Sequence, residues 1–373
     1  MKIAVISSHT PSLYWFRMDM MQEFRRRGHT VFALGNEPES KWALGFYKEG
    51  INYVQIDVQR NGTNPFKDLK VLSSIKKALK KIRPDKIFTY QAKTVIYGGI
   101  AAKQLGIKEV YPLIAGMGSM FLKDDFKTKV IRKILVSEYK VGIKNSKKVF
   151  FQNHDDEQIF RDAKIIKNQE TVMLHGSGVN TEHFQVLPMP KQFGFLCISR
   201  LILDKGVYEY LEACKNVKKQ YPKARCLLVG PYDSNPSAIN EAEINQLVDS
   251  GVIEYFGEQK DVRPYLAQCN VHVLPSYREG TPKTNLEAMA CGRAVITTDA
   301  VGCRETVTDG KNGYLVPIKD VNALADKMIY MIEHPDLAEK MGKNGRKKVE
   351  KIFDVNIVNN TICNTMGILN NER

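Results

Sequence analysis

Residues 274–292 read LPSYREGTPKTNLEAMACG, and this stretch decides the fold. The run Val271–Leu274 ends at Pro275 as a buried strand would, and the pattern after Pro282 is helical through Ala290 and stops at Gly292. Strand, loop and helix in that order build an open parallel sheet, whose ligands sit outside the carboxyl ends of the strands. Glu279 falls on the loop, and Glu287, eight residues later, falls in the first turns of the helix. Between them the N–H groups near Lys283, Thr284 and Asn285 have no partner inside the helix and are expected to form an anion site. Two carboxylates flanking an anion site suit a ligand with a central diphosphate and a hydroxyl-rich group at each end.

Outward from this stretch the pattern repeats. In the first half, strands are expected at Lys2–Ser7, Thr30–Leu34, Lys86–Tyr90, Val110–Ile114, Val149–Gln152 and Thr171–Leu174, with helices at Phe16–Arg27 and Tyr97–Leu105. Residues 187–193, LPMPKQF, carry two prolines and no periodicity, so the linker is placed there. The alternation restarts with strands at Phe193–Ser199, Arg225–Val229, Val252–Phe256, Val271–Leu274, Ala294–Thr297 and Gly313–Val316. The expected architecture is α/β: two doubly wound Rossmann-like domains, 1–187 and 188–353, with a cleft between them. A helix over 354–373 is expected to return to the first domain.

The chain of 373 residues is 43% hydrophobic and 26% charged, an ordinary globular balance that accommodates two cores. Its start, MKIAVISSHT, has neither the apolar stretch nor the cleavage site of a signal peptide. All seven cysteines lie from Cys197 onward and none forms C-x-x-C, so buried reduced thiols are expected. A net charge of +14 calls for an anionic partner. Between Lys123 and Lys148, nine basic residues face three acids and alternate with Phe126, Val130, Ile134 and Val141. A second basic helical pattern runs from Lys67 to Arg83. These are either solvated faces of core helices or contacts to an anionic membrane leaflet. With both in the first half, peripheral membrane contact is the expectation. Nucleic acid is not expected, because no stacking or zinc motif accompanies the charge.

Arg200 and Lys205, in ISRLILDKG, follow the first strand of the second half, where a fork donor and a point charge suit phosphate oxygens. Glu287 is placed to accept from two ribose hydroxyls, and Glu279 to contact sugar hydroxyls or charge developing at an anomeric carbon. Gly230 and Gly257 end two further strands, where backbone would approach a ligand closely. In the first half two loops are expected at the ligand edge: Ser8–Arg17, carrying His9, Ser12 and Arg17, and Ala115–Phe121, carrying Gly116, Gly118 and Ser119. No Asp-x-Asp and no His/Cys/carboxylate cluster has metal-ligand spacing, so neither a metal nor a cofactor is expected.

With these residues in place the sequence resembles the retaining family 4 glycosyltransferases of the GT-B fold over nearly its whole length. The E-x7-E motif is Glu279–Glu287, and the basic pair stands in SRLILDKG. GSGVNTEHF is similar to the N-G-V-D-x-x-x-F interdomain motif, with Ser177 for Asn and Asn180 for Asp. GCRETVTDGKNGYLV is similar to G-G-x-x-E-x-v-x-d-G-x-N-G-x-l-v. The loop GMGSMF and the start SHTPSLYWFR are most similar to bacterial N-acetylgalactosaminyltransferases acting on undecaprenyl-diphosphate-linked sugars, and to capsule and O-antigen relatives. Gly-Met-Gly stands where many members have a cleft His, and Pro282 removes an N–H that many use for the sugar.

The resemblance implies a UDP-sugar donor held by Arg200, Lys205, Gly230, Gly257, Glu279, Gly280, Thr281, Pro282, Lys283, Thr284, Asn285 and Glu287. Glu279, Arg200 and Lys205 would carry the chemistry. His9, Ser12, Arg17, Gly116, Gly118 and Ser119 would meet a polyprenyl-diphosphate-linked saccharide. The expected enzyme is cytoplasmic and bound to the inner face of the plasma membrane. A nucleotide-sugar epimerase of the same fold and a non-catalytic partner subunit are the alternatives.

Overall fold

The computed structural model describes residues 1–59, 65–116, 126–233 and 237–370. The chain divides into two units, Met1–Ser177 with Val355–Arg373, and Gly178–Asp354. In the first, the strands are β1 (Lys2–Ile6), β2 (Thr30–Gly35), β3 (Asn52–Gln55), β4 (Lys86–Tyr90), β5 (Val110–Ile114), β6 (Lys148–Phe151) and β7 (Glu170–Met173). The helices are α1 (Thr10–Arg26), α2 (Glu39–Lys48), α3 (Pro65–Ile82), α4 (Ala92–Gln104), α5 (Phe126–Gly142) and α6 (His154–Asp162). The strands pair in parallel in the order β3-β2-β1-β4-β5-β6-β7, so the winding reverses between β1 and β4. All five residues of β5 are buried, as expected of a strand covered on both faces.

The second unit contains β8 (Gly194–Ile198), β9 (Arg225–Val229), β10 (Glu254–Tyr255), β11 (Val271–Leu274), β12 (Ala294–Thr298) and β13 (Gly313–Val316). Between and after them lie α7 (Val207–Gln220), α8 (Glu241–Asp249), α9 (Arg263–Leu266), α10 (Lys283–Ala290), α11 (Val321–Glu333) and α12 (Pro335–Lys348). The sheet is again parallel, ordered β10-β9-β8-β11-β12-β13, with its reversal between β8 and β11. A last helix, α13 (Val355–Met366), belongs to the first unit, where Val358, Ile362, Cys363 and Met366 join Leu13, Met20 and Phe24 in one core. The seven cysteines are buried free thiols.

Several local readings change. Ser8–Arg17 is not a loop: α1 starts at Thr10, with Pro11 in the first turn, where its missing N–H has no partner to lose. The strand expected over Val252–Phe256 shrinks to β10, because the N–H groups of Val252 and Ile253 turn back to the Leu247 carbonyl. The proline-rich segment is not a free linker. Leu187 N–H donates to Cys291 O at 3.1 Å and Arg293 donates to Pro188 O at 2.7 Å, so residues 178–193 pack with the second unit.

The two basic helices also differ. Val71, Ile75, Leu79 and Ile82 of α3 are buried, leaving Lys70, Lys77, Lys80 and Lys81 on a solvated outer face. On α5, Tyr139 is buried, and Leu135 and Val136 pack on the same core. Phe126, Val130, Ile134 and Val141 are exposed on that helix, together with Lys129, Lys133 and Lys140. No helix among the described residues is long and apolar enough to cross a membrane.

Candidate active site

The second unit's reversal point gathers the residues singled out in the sequence. After β8 the chain makes a short turn, Leu203–Lys205, and Gly206 at φ 69° and ψ 22° redirects it into α7. A Cβ on Gly206 would lie 2.0 Å from Pro275 O at the end of β11, so glycine lets the two strand ends meet. Across this junction Tyr277 N–H and Ser276 Oγ donate to Asp204 O at 3.0 and 3.2 Å. Lys205 Nζ donates to Glu279 Oε1, a pair with side chains 21% and 15% exposed.

The loop carrying Glu279 is held from behind. Glu279 N–H donates to Val301 O at 2.9 Å. Gly302, at φ 81°, leaves room for the Glu279 carbonyl, which would be 2.3 Å from a Cβ there. Val301 and Gly302 thus back the loop, and α10 is tied to the same segment by Asn285 Nδ2 donating to Thr306 Oγ1 at 3.0 Å. Pro282 is the N-cap residue of α10 and gives it no side-chain cap bond, and no acidic residue stands in its first turn. One turn in, Glu287 is nearly buried, and that desolvation pushes its pKa up to about 7, with Lys283 opposing the shift from 3.9 Å. Behind them His272 is fully buried in β11, and burial pushes its pKa down to about 4, so the ring is neutral at pH 7.

Lys205 and Glu279 are therefore brought together, and Thr284, Asn285 and Glu287 stand on the adjoining helix. Arg200 is drawn to Asp233, with its Nη1 donating to Oδ2 at 2.7 Å, a partner the sequence did not disclose. Gly230 is required by the fold itself: at φ 148° its missing side chain clears Ser199 O, which would lie 1.8 Å from a Cβ. Its N–H donates to Gly257 O at 2.8 Å, while a Cβ on Gly257 would meet nothing within 4 Å. Asp204, Ser276 and Gly302 were also missed, because each acts through a main-chain contact that no spacing reveals.

In the first unit His9 is the N-cap residue of α1 and gives no side-chain cap bond. Ser12 and Arg17 lie on that helix, each 4% exposed. Gly116 takes φ 100° at the end of β5, whereas Gly118 and Ser119 lie outside the described residues. The GSGVN stretch makes internal bonds: Asn180 Oδ1 accepts from the N–H groups of Glu182 and His183, and Thr181 Oγ1 donates to Asp354 Oδ2 at 2.5 Å.

Comparison with known proteins bears on the fold and the family. The chain is 29% identical over 372 residues to the N,N'-diacetylbacillosaminyl-diphospho-undecaprenol alpha-1,3-N-acetylgalactosaminyltransferase of Campylobacter jejuni, covering 96% of each chain. Sucrose-phosphate synthase from Thermosynechococcus elongatus superimposes with a TM-score of 0.80 at 21% identity, covering 98% of each chain. HepE of Anabaena, solved in complex with UDP, gives a TM-score of 0.79 at 17% identity over 99% of this chain and 100% of that one. These likenesses show the GT-B fold. The family model described as glycosyl transferases group 1 matches residues 179–348, and that described as glycosyl transferase 4-like matches residues 2–153. Taken together, the two matches span most of both units, and they identify a glycosyltransferase whose second unit is similar to the group 1 enzymes and whose first unit is similar to the glycosyltransferase 4-like ones.

Proposed function

We propose that this glycosyltransferase moves a sugar of the N-acetylhexosamine type from a UDP-sugar to a polyprenyl-diphosphate-linked saccharide, with retention at the anomeric carbon. The observation that carries this reading is the Lys205–Glu279 pair at the reversal point beside the uncapped start of α10. A cation and the first-turn N–H groups are suited to the diphosphate, and Arg200 adds a second cation once Asp233 releases it. Glu287 in its ionised form accepts from the ribose hydroxyls, and Glu279 orients the sugar. The bond from C1 to the β-phosphate oxygen breaks as the acceptor oxygen attaches to C1 on the same face. The acceptor proton passes to the departing phosphate, whose charge Lys205 and the α10 amides offset. No metal is assigned a part.

The name of the Campylobacter relative, which specifies a diphospho-undecaprenol-linked substrate, supports the choice of acceptor. The first unit then takes the acceptor and α5 lies against an anionic membrane, its Lys129, Lys133 and Lys140 meeting headgroups and its exposed apolar residues entering the interface. The reading places the enzyme at the inner face of the plasma membrane, in assembly of a bacterial surface glycan.

The deciding experiment incubates the protein with UDP-N-acetylgalactosamine, UDP-N-acetylglucosamine or UDP-glucose, each with and without a polyprenyl-diphosphate-linked saccharide, followed by NMR of the product. A new α-linked sugar that needs the acceptor supports transfer. Conversion of the donor's sugar without acceptor would instead identify an epimerase, and no reaction with any pair would favour a partner subunit.

A further inference from the structure

The first unit has its own reversal point, between β1 and β4, and a hydrogen-bonded cluster at its carboxyl edge adjoins a buried cation. Gln91, directly after β4, takes φ 73° and ψ 142°, a conformation that side-chain-bearing residues rarely hold. Its Oε1 accepts from Ser8 N–H at 2.9 Å, Ser8 Oγ at 2.7 Å and Ser7 Oγ at 2.9 Å, which fastens the end of β1 to the end of β4. Ser12 Oγ lies 2.8 Å from the Tyr90 hydroxyl and donates to His9 O at 2.7 Å.

Arg17 is packed beside this cluster. It is 4% exposed, and its guanidinium carbon lies 5.1 Å from the centre of the Tyr90 ring and 5.9 Å from that of Phe88. No acceptor among the described residues bonds Nε, and no carboxylate among them pairs with the guanidinium. Ring faces offset only part of the cost of removing a cation from water. The other buried arginine, Arg293, donates to the carbonyls of Leu266 and Pro188 at 2.8 and 2.7 Å, and Arg17 has no such acceptor among the described residues. Burial pushes the Tyr90 phenol up, so it does not ionise to serve as the counter-charge. A buried cation for which the described residues hold no anion, at the sheet edge where open α/β sheets take ligands, marks a place for a negative group.

We propose that Arg17, with the hydroxyls of Ser12 and Tyr90, forms a phosphate-binding subsite in the first unit. The phosphate chemistry is argued from these residues alone. Its assignment to the acceptor's diphosphate rests on the function proposed above.

The test titrates full-length protein with inorganic pyrophosphate by calorimetry, alone and in saturating UDP. Binding that persists in UDP and weakens by about tenfold or more in Arg17→Gln is the expected result, a loss of the size of one charge-assisted contact. UDP affinity should be unchanged in that variant, and its melting temperature should not fall, because a buried charge with no anion among the described residues has been removed. Tyr90→Phe and Ser12→Ala should each weaken pyrophosphate binding and provide the readout if Arg17→Gln does not fold. Unchanged pyrophosphate affinity in the folded variants would overturn the subsite. Loss of all pyrophosphate binding on adding UDP would overturn the acceptor assignment and make the phosphate the donor's. A wild-type protein that binds pyrophosphate through Arg17 yet transfers no sugar would sink the proposed function and leave the subsite standing.

Discussion

Lys205 and Glu279, 74 residues apart in the chain, form one ion pair across the junction of β8 and β11. Each charge holds the other, so on the proposed function a donor with its own diphosphate and sugar hydroxyls exchanges partners rather than meeting two naked charges. The cost of ordering both side chains is met before the ligand arrives.

Removal of either partner should therefore damage catalysis far more than folding. Lys205→Ala and Glu279→Ala are each expected to lower kcat/KM by about a thousandfold, as loss of a transition-state charge contact does. Their melting temperatures should stay within a few degrees of wild type, since a partly exposed pair contributes only about 1 kcal/mol. Near wild-type turnover in either variant would remove the basis for the assigned donor site.

Glu287 makes a prediction about pH. Its folded pKa of about 7 lies above the ordinary carboxylate value, so the native state binds the extra proton between those two values. Stability from this group is present below the ordinary pKa and declines as pH rises to 7, by on the order of 3 kcal/mol at most. Glu287→Gln should flatten that decline and be the more stable protein at pH 8, as measured by urea denaturation. Donor binding should have the opposite slope, because ribose hydroxyls need the ionised acceptor. UDP-N-acetylgalactosamine, whose diphosphate does not titrate near neutrality, should bind wild type more weakly at pH 6 than at pH 8, with no such change in Glu287→Gln.

Gly302 is predicted to matter to activity although it carries no chemistry. At φ 81° and with the Glu279 carbonyl in the way of a Cβ, Gly302→Ala forces the loop that carries Glu279 to move. A stability loss of about 2 kcal/mol is expected from the backbone strain and contact together. The surviving folded enzyme should show a raised KM for the UDP-sugar. A variant that is destabilised but kinetically normal when folded would show that the loop does not set the donor site.

The exposed face of α5 can be tested with vesicles. Sedimentation with vesicles containing anionic phospholipid should fall steeply when Lys129, Lys133 and Lys140 are replaced by Ser, by about 1 kcal/mol per charge, and also when salt is raised. Phe126→Ser should weaken binding with less dependence on salt. Equal binding to neutral vesicles would dismiss the electrostatic contact.

Much of the second unit was legible in the sequence because its working residues sit on strand, loop and helix segments that are continuous in the chain. Glu279 and Glu287 share one such segment, and Lys205 lies seven residues beyond β8. Their partners were not legible: Asp233 on Arg200 and Gly302 behind Glu279 are chosen by the sheet order, which brings distant loops to one edge. In the first unit the start of α1 was missed because Ser-His-Thr-Pro reads as loop, although proline in a first turn is a helix signal. Arg17 was named as a candidate, but taking that segment for a loop concealed that its side chain is buried on a helix. β3 was overlooked because a four-residue strand, NYVQ, has too little apolar pattern to announce itself.

The placement of α13 bears on how the protein is made. Val358, Ile362, Cys363 and Met366 close a core otherwise built from residues before Ser177, so the half that leaves the ribosome first is the half that must wait. The second unit has its whole sequence available earlier and can fold while the first still exposes Leu13, Met20 and Phe24 to chaperones. A nascent chain arrested before residue 355 would hold a complete second unit and lack a finished first one, and a short C-terminal deletion would damage the part of the protein farthest from it in sequence.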